Sequence, residues 1–141
     1  MNGKYFIDTN IFVYLFDPRY PAKSRKARSI IDHAVNEGTG LISYQVIQEF
    51  FSIASKKFAQ PMTMYECLYC LDNIFSPLCA VFPSIEFYKS ALALKDQVGC
   101  SLYDALIIAA AVQEKCSVLY SEDLQHGRVI AGVKIQNPFA N

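Results

Sequence analysis

SLYDALIIAAAVQEKCSVLYSED, residues 101–123, decides the fold. Ser101 stands three residues before Asp104, a pair that opens helices, and the pattern predicts a helix from there to about residue 115. Residues 117–120 then read as a short apolar strand, closed by the polar Ser121, Glu122 and Asp123. Asp104 interrupts strongly apolar surroundings and Asp123 follows an apolar strand. Carboxylates in such places are costly unless something pairs with them.

The same alternation of helix and short apolar strand extends in both directions. Upstream, residues 4–8 (KYFID) read as a buried strand, 10–16 as a brief helix stopped by Asp17-Pro18, and 22–37 as an amphipathic helix ending at Gly38. Residues 41–43 are a strand and 44–59 a helix. Thr63 and Glu66 make a capping box for a helix to about residue 75. Residues 79–82 read as a strand or extended connector, Ser84 caps a helix that ends at Gly99, and 133–136 form the last strand. No repeat, linker or low-complexity tract divides residues 1–141, so a single domain is expected. Short strands alternating with helices imply an α/β layer fold with a mainly parallel sheet, whose ligands bind beyond the carboxyl ends of the strands.

That rule gathers four acids. Asp8 ends the first strand, Asp123 lies past the 117–120 strand, and Glu49 and Asp104 fall early in helices that begin at the same edge. Taken singly, Asp8 reads as a helix cap, Asp104 as part of a capping box, Glu49 as a solvated helix residue and Asp123 as a turn residue. Together they suggest a divalent cation as the missing partner. Magnesium and manganese prefer oxygen ligands and can support phosphodiester cleavage. His33 and His126 are too few and too poorly placed for zinc, and no G-x-S-x-G, P-loop or G-x-G-x-x-G occurs. Asp8 as a covalent phosphoryl acceptor is disfavoured because Asn10, not a second Asp, lies two residues on.

Composition sets the remaining bounds. Formal net charge is +0, so any nucleic-acid contact must use local basic surface. Lys23, Arg25, Lys26 and Arg28 line one helix face, and Lys56 and Lys57 end another; each group reads either as solvated surface or as phosphate contact. Five cysteines and no secretory signal favour reduced thiols in a cytoplasmic protein, and Cys67-x-x-Cys70 reads as helix packing. The apolar run 105–112 is far short of a membrane span, so no membrane partner is expected.

Four segments in this order carry a resemblance: DTN at 8–10, QVIQEFF at 45–51, SLYDALIIAAA at 101–111 and SEDLQHG at 121–127. They resemble the PIN-domain ribonucleases, and most closely the VapC-type toxins of toxin–antitoxin systems. The resemblance implies a PIN-like three-layer α/β fold with a central, mainly parallel sheet of four or five strands flanked by helices. It implies an Mg2+-dependent endoribonuclease (Mn2+ serving too) whose catalytic acids are Asp8, Glu49, Asp104 and Asp123. Asp8, Asp104 and Asp123 would hold the metal, with Thr9, Asn10 and Ser121 as polar support. It implies an RNA substrate, an antitoxin protein as partner, and a homodimer, for which Tyr14, Phe50, Phe51, Tyr65, Tyr69 and Phe75 are candidate interface residues. Tyr103 departs from the Trp that many relatives carry before the third acid, and Glu122 stands beside Asp123 as a possible helper. A non-catalytic PIN-like module that binds RNA or protein is the competing reading, and a phosphohydrolase for DNA or small phosphates is a third.

Overall fold

The computed structural model describes residues 3–140. β1 (Tyr5–Ile7) leads into the short helix α1 (Thr9–Leu15) and then α2 (Pro21–Glu37). Gly38 stops α2 at φ 73°, a left-handed conformation that costs glycine nothing, and its N–H closes the last turn on the Ala34 carbonyl. β2 (Gly40–Ser43) is buried along its length and runs directly into α3 (Tyr44–Lys57). The Thr63–Glu66 capping box forms in both directions at the start of α4 (Met64–Cys70).

The end of that helix differs from the expectation. Instead of stopping near residue 75, the chain widens to a π-type stretch over Leu71–Phe75 and then makes one further turn, α5 (Ser76–Leu78). Pro77 supplies the reason. It has no N–H for the carbonyl four residues back and its ring presses on that carbonyl, so the backbone opens ahead of it. β3 (Cys79–Val81), α6 (Ile85–Val98), α7 (Leu102–Gln113), β4 (Val118–Tyr120), β5 (Val129–Ile130) and β6 (Val133–Gln136) complete the chain.

The strands form one sheet in the order β3-β2-β1-β4-β6-β5. Every pairing is parallel except β5 against β6. The α/β class and mainly parallel sheet are as expected, but the strands number six. The additional one is β5, two residues long and joined to β6 through Ala131 and Gly132, both at positive φ (49° and 86°). Right-handed crossovers put the helices between β1 and β3 on one face and α6 and α7 on the other. α7 is buried continuously from Ala105 to Ala111, which accounts for its unbroken apolar run.

The aromatic residues divide by burial. Phe12, Phe50 and Phe75 are fully buried and mutually packed, with Phe75 ring centroids 5.2 Å from Phe12 and 5.1 Å from Phe50. Phe51 and Tyr14 are partly covered by the same core. Of the six interface candidates, only Tyr65 and Tyr69 stand exposed, beside Met64 and Leu68 on α4. Cys70 is buried and Cys67 half-buried, and all five thiols are free. No helix among the described residues is long and apolar enough to cross a membrane.

Candidate active site

The strand order reverses direction at β1. The chain moves outward through β2 and β3, then returns to place β4 on the other side of β1. A crevice at the carboxyl ends of the strands is the expected ligand site at such a point. Asp8 follows β1 directly, and its N–H donates to the Tyr120 carbonyl at 3.0 Å, joining the ends of β1 and β4. Its side chain is almost wholly buried. Oδ1 accepts from the Thr9 N–H at 2.7 Å and Oδ2 from the Ser121 hydroxyl at 2.9 Å. Asp8 therefore caps α1 and also heads the acidic group. Ser121 Oγ in turn accepts from the Leu124 N–H at 3.2 Å, so one serine ties the buried acid to the turn after β4.

The other acids arrive from three elements. Thr9 Oγ1 donates to the Glu49 carboxylate on α3 at 2.9 Å, and Asn10 Nδ2 donates to Asp123 Oδ2 at 2.6 Å. Asp104 lies in the first turn of α7, where Ser101 Oγ accepts from its N–H at 3.1 Å. The cap is one-sided, unlike that at Thr63, which leaves the Asp104 carboxylate for other work. Replacing Ser101 by Ala is expected to cost about 1 kcal/mol in urea melts. Buried Gln45 links the first turns of α3 and α7 through a 3.3 Å bond from Nε2 to the Tyr103 carbonyl.

The electrostatics support one cluster. Burial pushes the Asp8 carboxyl up to about 6; the Thr9 and Ser121 hydrogen bonds oppose this, and Glu49 and Asp123 add to it. Asp123 is also raised, first by desolvation and then by Glu122, with Asn10 opposing and Asp104 contributing. The field thus connects Asp8 to Glu49 and Asp123, and Asp123 to Asp104. Among the described residues, no Lys or Arg forms an ion pair with any of the four. The donor set, all carboxylate and hydroxyl oxygen, fits a hard cation. Among the described residues no three such side chains already form a group able to hold an ion; Thr9, Asn10 and Ser121 hold the carboxylates instead.

Three features were not assigned from the sequence. Gln45 sits in a quoted motif but has no local signature of its role. Ser43 Oγ, at the end of β2, is buried without a partner among the described residues. Glu122 is held by partners remote in sequence: its carboxylate accepts from the Tyr14 hydroxyl at 2.6 Å and from Lys23 Nζ at 2.6 Å. Lys23 is thereby taken out of the basic face, whereas Arg25, Lys26 and Arg28 remain exposed.

The family model of the PIN domain matches residues 5–131. The chain belongs to the PIN domain family. A search of curated proteins returns no match. Among solved structures, this PIN domain is similar to a toxin–antitoxin complex from Klebsiella pneumoniae, with a TM-score of 0.68 and 22% identity over 96% of this chain and 98% of that one. It is similar to VapBC2 from Rickettsia felis, bound to a DNA fragment from its promoter, with a TM-score of 0.63 and 21% identity over 94% and 97%. It is also similar to VapC20 from Mycobacterium tuberculosis, a sarcin-ricin loop cleaving toxin, with a TM-score of 0.57 and 16% identity over 85% and 90%. At these identities the likeness is one of fold.

Proposed function

We propose that this PIN domain is an Mg2+-dependent endoribonuclease, with Mn2+ able to replace Mg2+, and the toxin of a toxin–antitoxin pair. The observation that carries the reading is Asp8, buried at the reversal point of the sheet in a field of acids with no basic partner among the described residues. The sarcin-ricin loop cleaving activity of VapC20, a structure of the same fold, favours RNA as substrate.

Asp8, Asp104 and Asp123 would hold the cation. When bound, it would neutralise the scissile phosphate and lower the pKa of its water. Ser121 and the Thr9 N–H fix the Asp8 carboxylate, and Asn10 fixes Asp123. Glu49, oriented by Thr9, positions the attacking water and takes its proton. Water oxygen bonds to phosphorus, the bond to the 3′ oxygen breaks, and that oxygen takes a proton from solvent water while Glu49 gives its own back to solvent. The products are a 5′-phosphate and a 3′-hydroxyl.

The resemblance of fold to toxin–antitoxin complexes supports an antitoxin partner. An Arg from it, placed among the four acids, would neutralise the cluster and exclude the cation, with better bidentate geometry than Lys. The exposed Met64, Tyr65, Leu68 and Tyr69 offer apolar surface to such a partner. Exposed Phe82, Ile85 and Leu92 suit a homodimer. Free thiols fit a reducing cytosol.

The test compares mixed-sequence RNA, DNA and nitrophenyl phosphate as substrates with Mg2+, Mn2+ or EDTA. Metal-dependent cleavage of RNA alone is expected. RNA binding without cleavage would point instead to a non-catalytic module. Expression of the chain should arrest growth, and co-expression of the neighbouring gene product should relieve it. Harmless expression of active, soluble protein would remove the toxin role and leave the nuclease.

A further inference from the structure

We infer that Lys23 and Tyr14 are positioning residues for Asp123: they hold the Glu122 carboxylate, and through it the turn that presents Asp123 to the acidic cluster. The inference rests on the nuclease reading above and adds residues that it does not use.

Three consecutive residues after β4 are each tied to a different partner near the start of the chain. Ser121 donates to Asp8 at 2.9 Å, Asp123 accepts from Asn10 at 2.6 Å, and Glu122 between them accepts from Tyr14 and Lys23, each at 2.6 Å. Side chains of adjacent residues turn together with their shared backbone. Locking Glu122 onto α1 and α2 therefore fixes the direction open to Asp123.

The lock is built rather than incidental. Lys23 and Glu122 side chains are 34% and 21% exposed, against 70% and 85% for the surface pair Lys89–Glu86. A half-desolvated pair keeps its geometry better than a solvated one. Lys23 Nζ also lies 3.2 Å from the Tyr14 hydroxyl and within 4.7 to 5.5 Å of the ring centroids of Tyr14, Tyr20 and Phe139. Tyr14 and Phe139 pack edge to face at 5.0 Å, closing the ring around the ammonium. Two of its three N–H groups are already engaged, which argues against phosphate contact as its main role.

The test uses the full chain with Lys23→Met and Lys23→Arg, and measures Mn2+ affinity, kcat and KM for RNA cleavage, and thermal melting. Lys23→Met is expected to weaken Mn2+ binding about 10-fold and lower kcat about 10-fold, the scale for losing a group that orients a metal ligand, with KM near wild type. Lys23→Arg should restore most of both. If Lys23→Met bound Mn2+ as tightly as wild type or more tightly, Lys23 would be only a nearby positive charge and the inference would fall. A raised KM with unchanged kcat would make Lys23 a phosphate contact and overturn it equally. Should Lys23→Met melt well below wild type, Tyr14→Phe carries the comparison, with one hydrogen bond and no charge removed and an expected loss of about threefold on both readouts. Wild-type protein that neither bound Mn2+ nor cleaved RNA would overturn the nuclease reading itself, without reference to any variant.

Discussion

Asp8→Asn should abolish RNA cleavage and, in EDTA, make the protein more stable. The first effect follows from removing the charged group at the centre of the cluster that is proposed to hold the cation. A bound cation supplies several kcal/mol of transition-state stabilisation, so a loss of at least about a hundredfold in kcat is expected. The second follows from linkage. The folded-state pKa of Asp8, about 6, lies above its ordinary value. The folded protein therefore binds more protons than the unfolded chain between roughly pH 4 and 6, and stability falls as pH rises through that window. Above it, the ionised buried carboxylate costs about 3 kcal/mol. Asn removes that charge and still offers an acceptor to the Thr9 N–H, while its NH2 can donate to Ser121 Oγ. A gain of about 1–3 kcal/mol at pH 7.5 is expected, shrinking toward zero near pH 4 as wild-type Asp8 takes up its proton. Wild-type cleavage rates in the variant, or a gain that stayed constant down to pH 4, would contradict this assignment.

Mg2+ or Mn2+ should stabilise the wild-type fold, and EDTA should end cleavage. A cation that binds only the folded chain contributes about 2.7 kcal/mol at a concentration a hundred times its Kd. The ligands must be ionised, so the metal-induced rise in Tm should be small near pH 5 and grow toward pH 7. The sign is opposite to that of the metal-free protein, whose stability declines over the same range as Asp8 loses its proton. Differential scanning fluorimetry at several pH values, with and without Mn2+, checks both slopes. Asp8→Asn should lose most of the metal response. A Tm unmoved by Mn2+ at pH 7.5, with cleavage surviving rigorous chelation, would remove the metal from the mechanism.

Local chemistry was the part of the fold most legible in the sequence. Thr63, Ser84 and Ser101 each cap the helix predicted for them, and Gly38 and Gly99 each stop one in the left-handed conformation. The four acids were legible because strand ends and helix starts share one sheet edge in this topology. β5 was not, since two residues carry no alternation and the Ala131–Gly132 turn lacks the usual Asn-Gly signature. The π-type stretch was hidden because a capping box reports where a helix begins, not how its turns respond to Pro77. The Glu122 pairing with Lys23 spans 99 residues and leaves no trace at either end.

The seating of β1 between β2 and β4 has a consequence for synthesis. Asp8 is made well before β4, and its serine partner and the Asp123 turn come 113 residues or more behind it. A nascent chain can pair β1 with β2 and pack the first helices long before β4 exists. Until Ser117 to Asp123 has left the ribosome and docked, the acids from the two ends of the chain lie on unjoined segments. A chain truncated by stalled translation before β4 is made therefore lacks Ser121 and Asp123 altogether. The order of synthesis therefore assembles the acidic group only once β4 and the turn after it have been made.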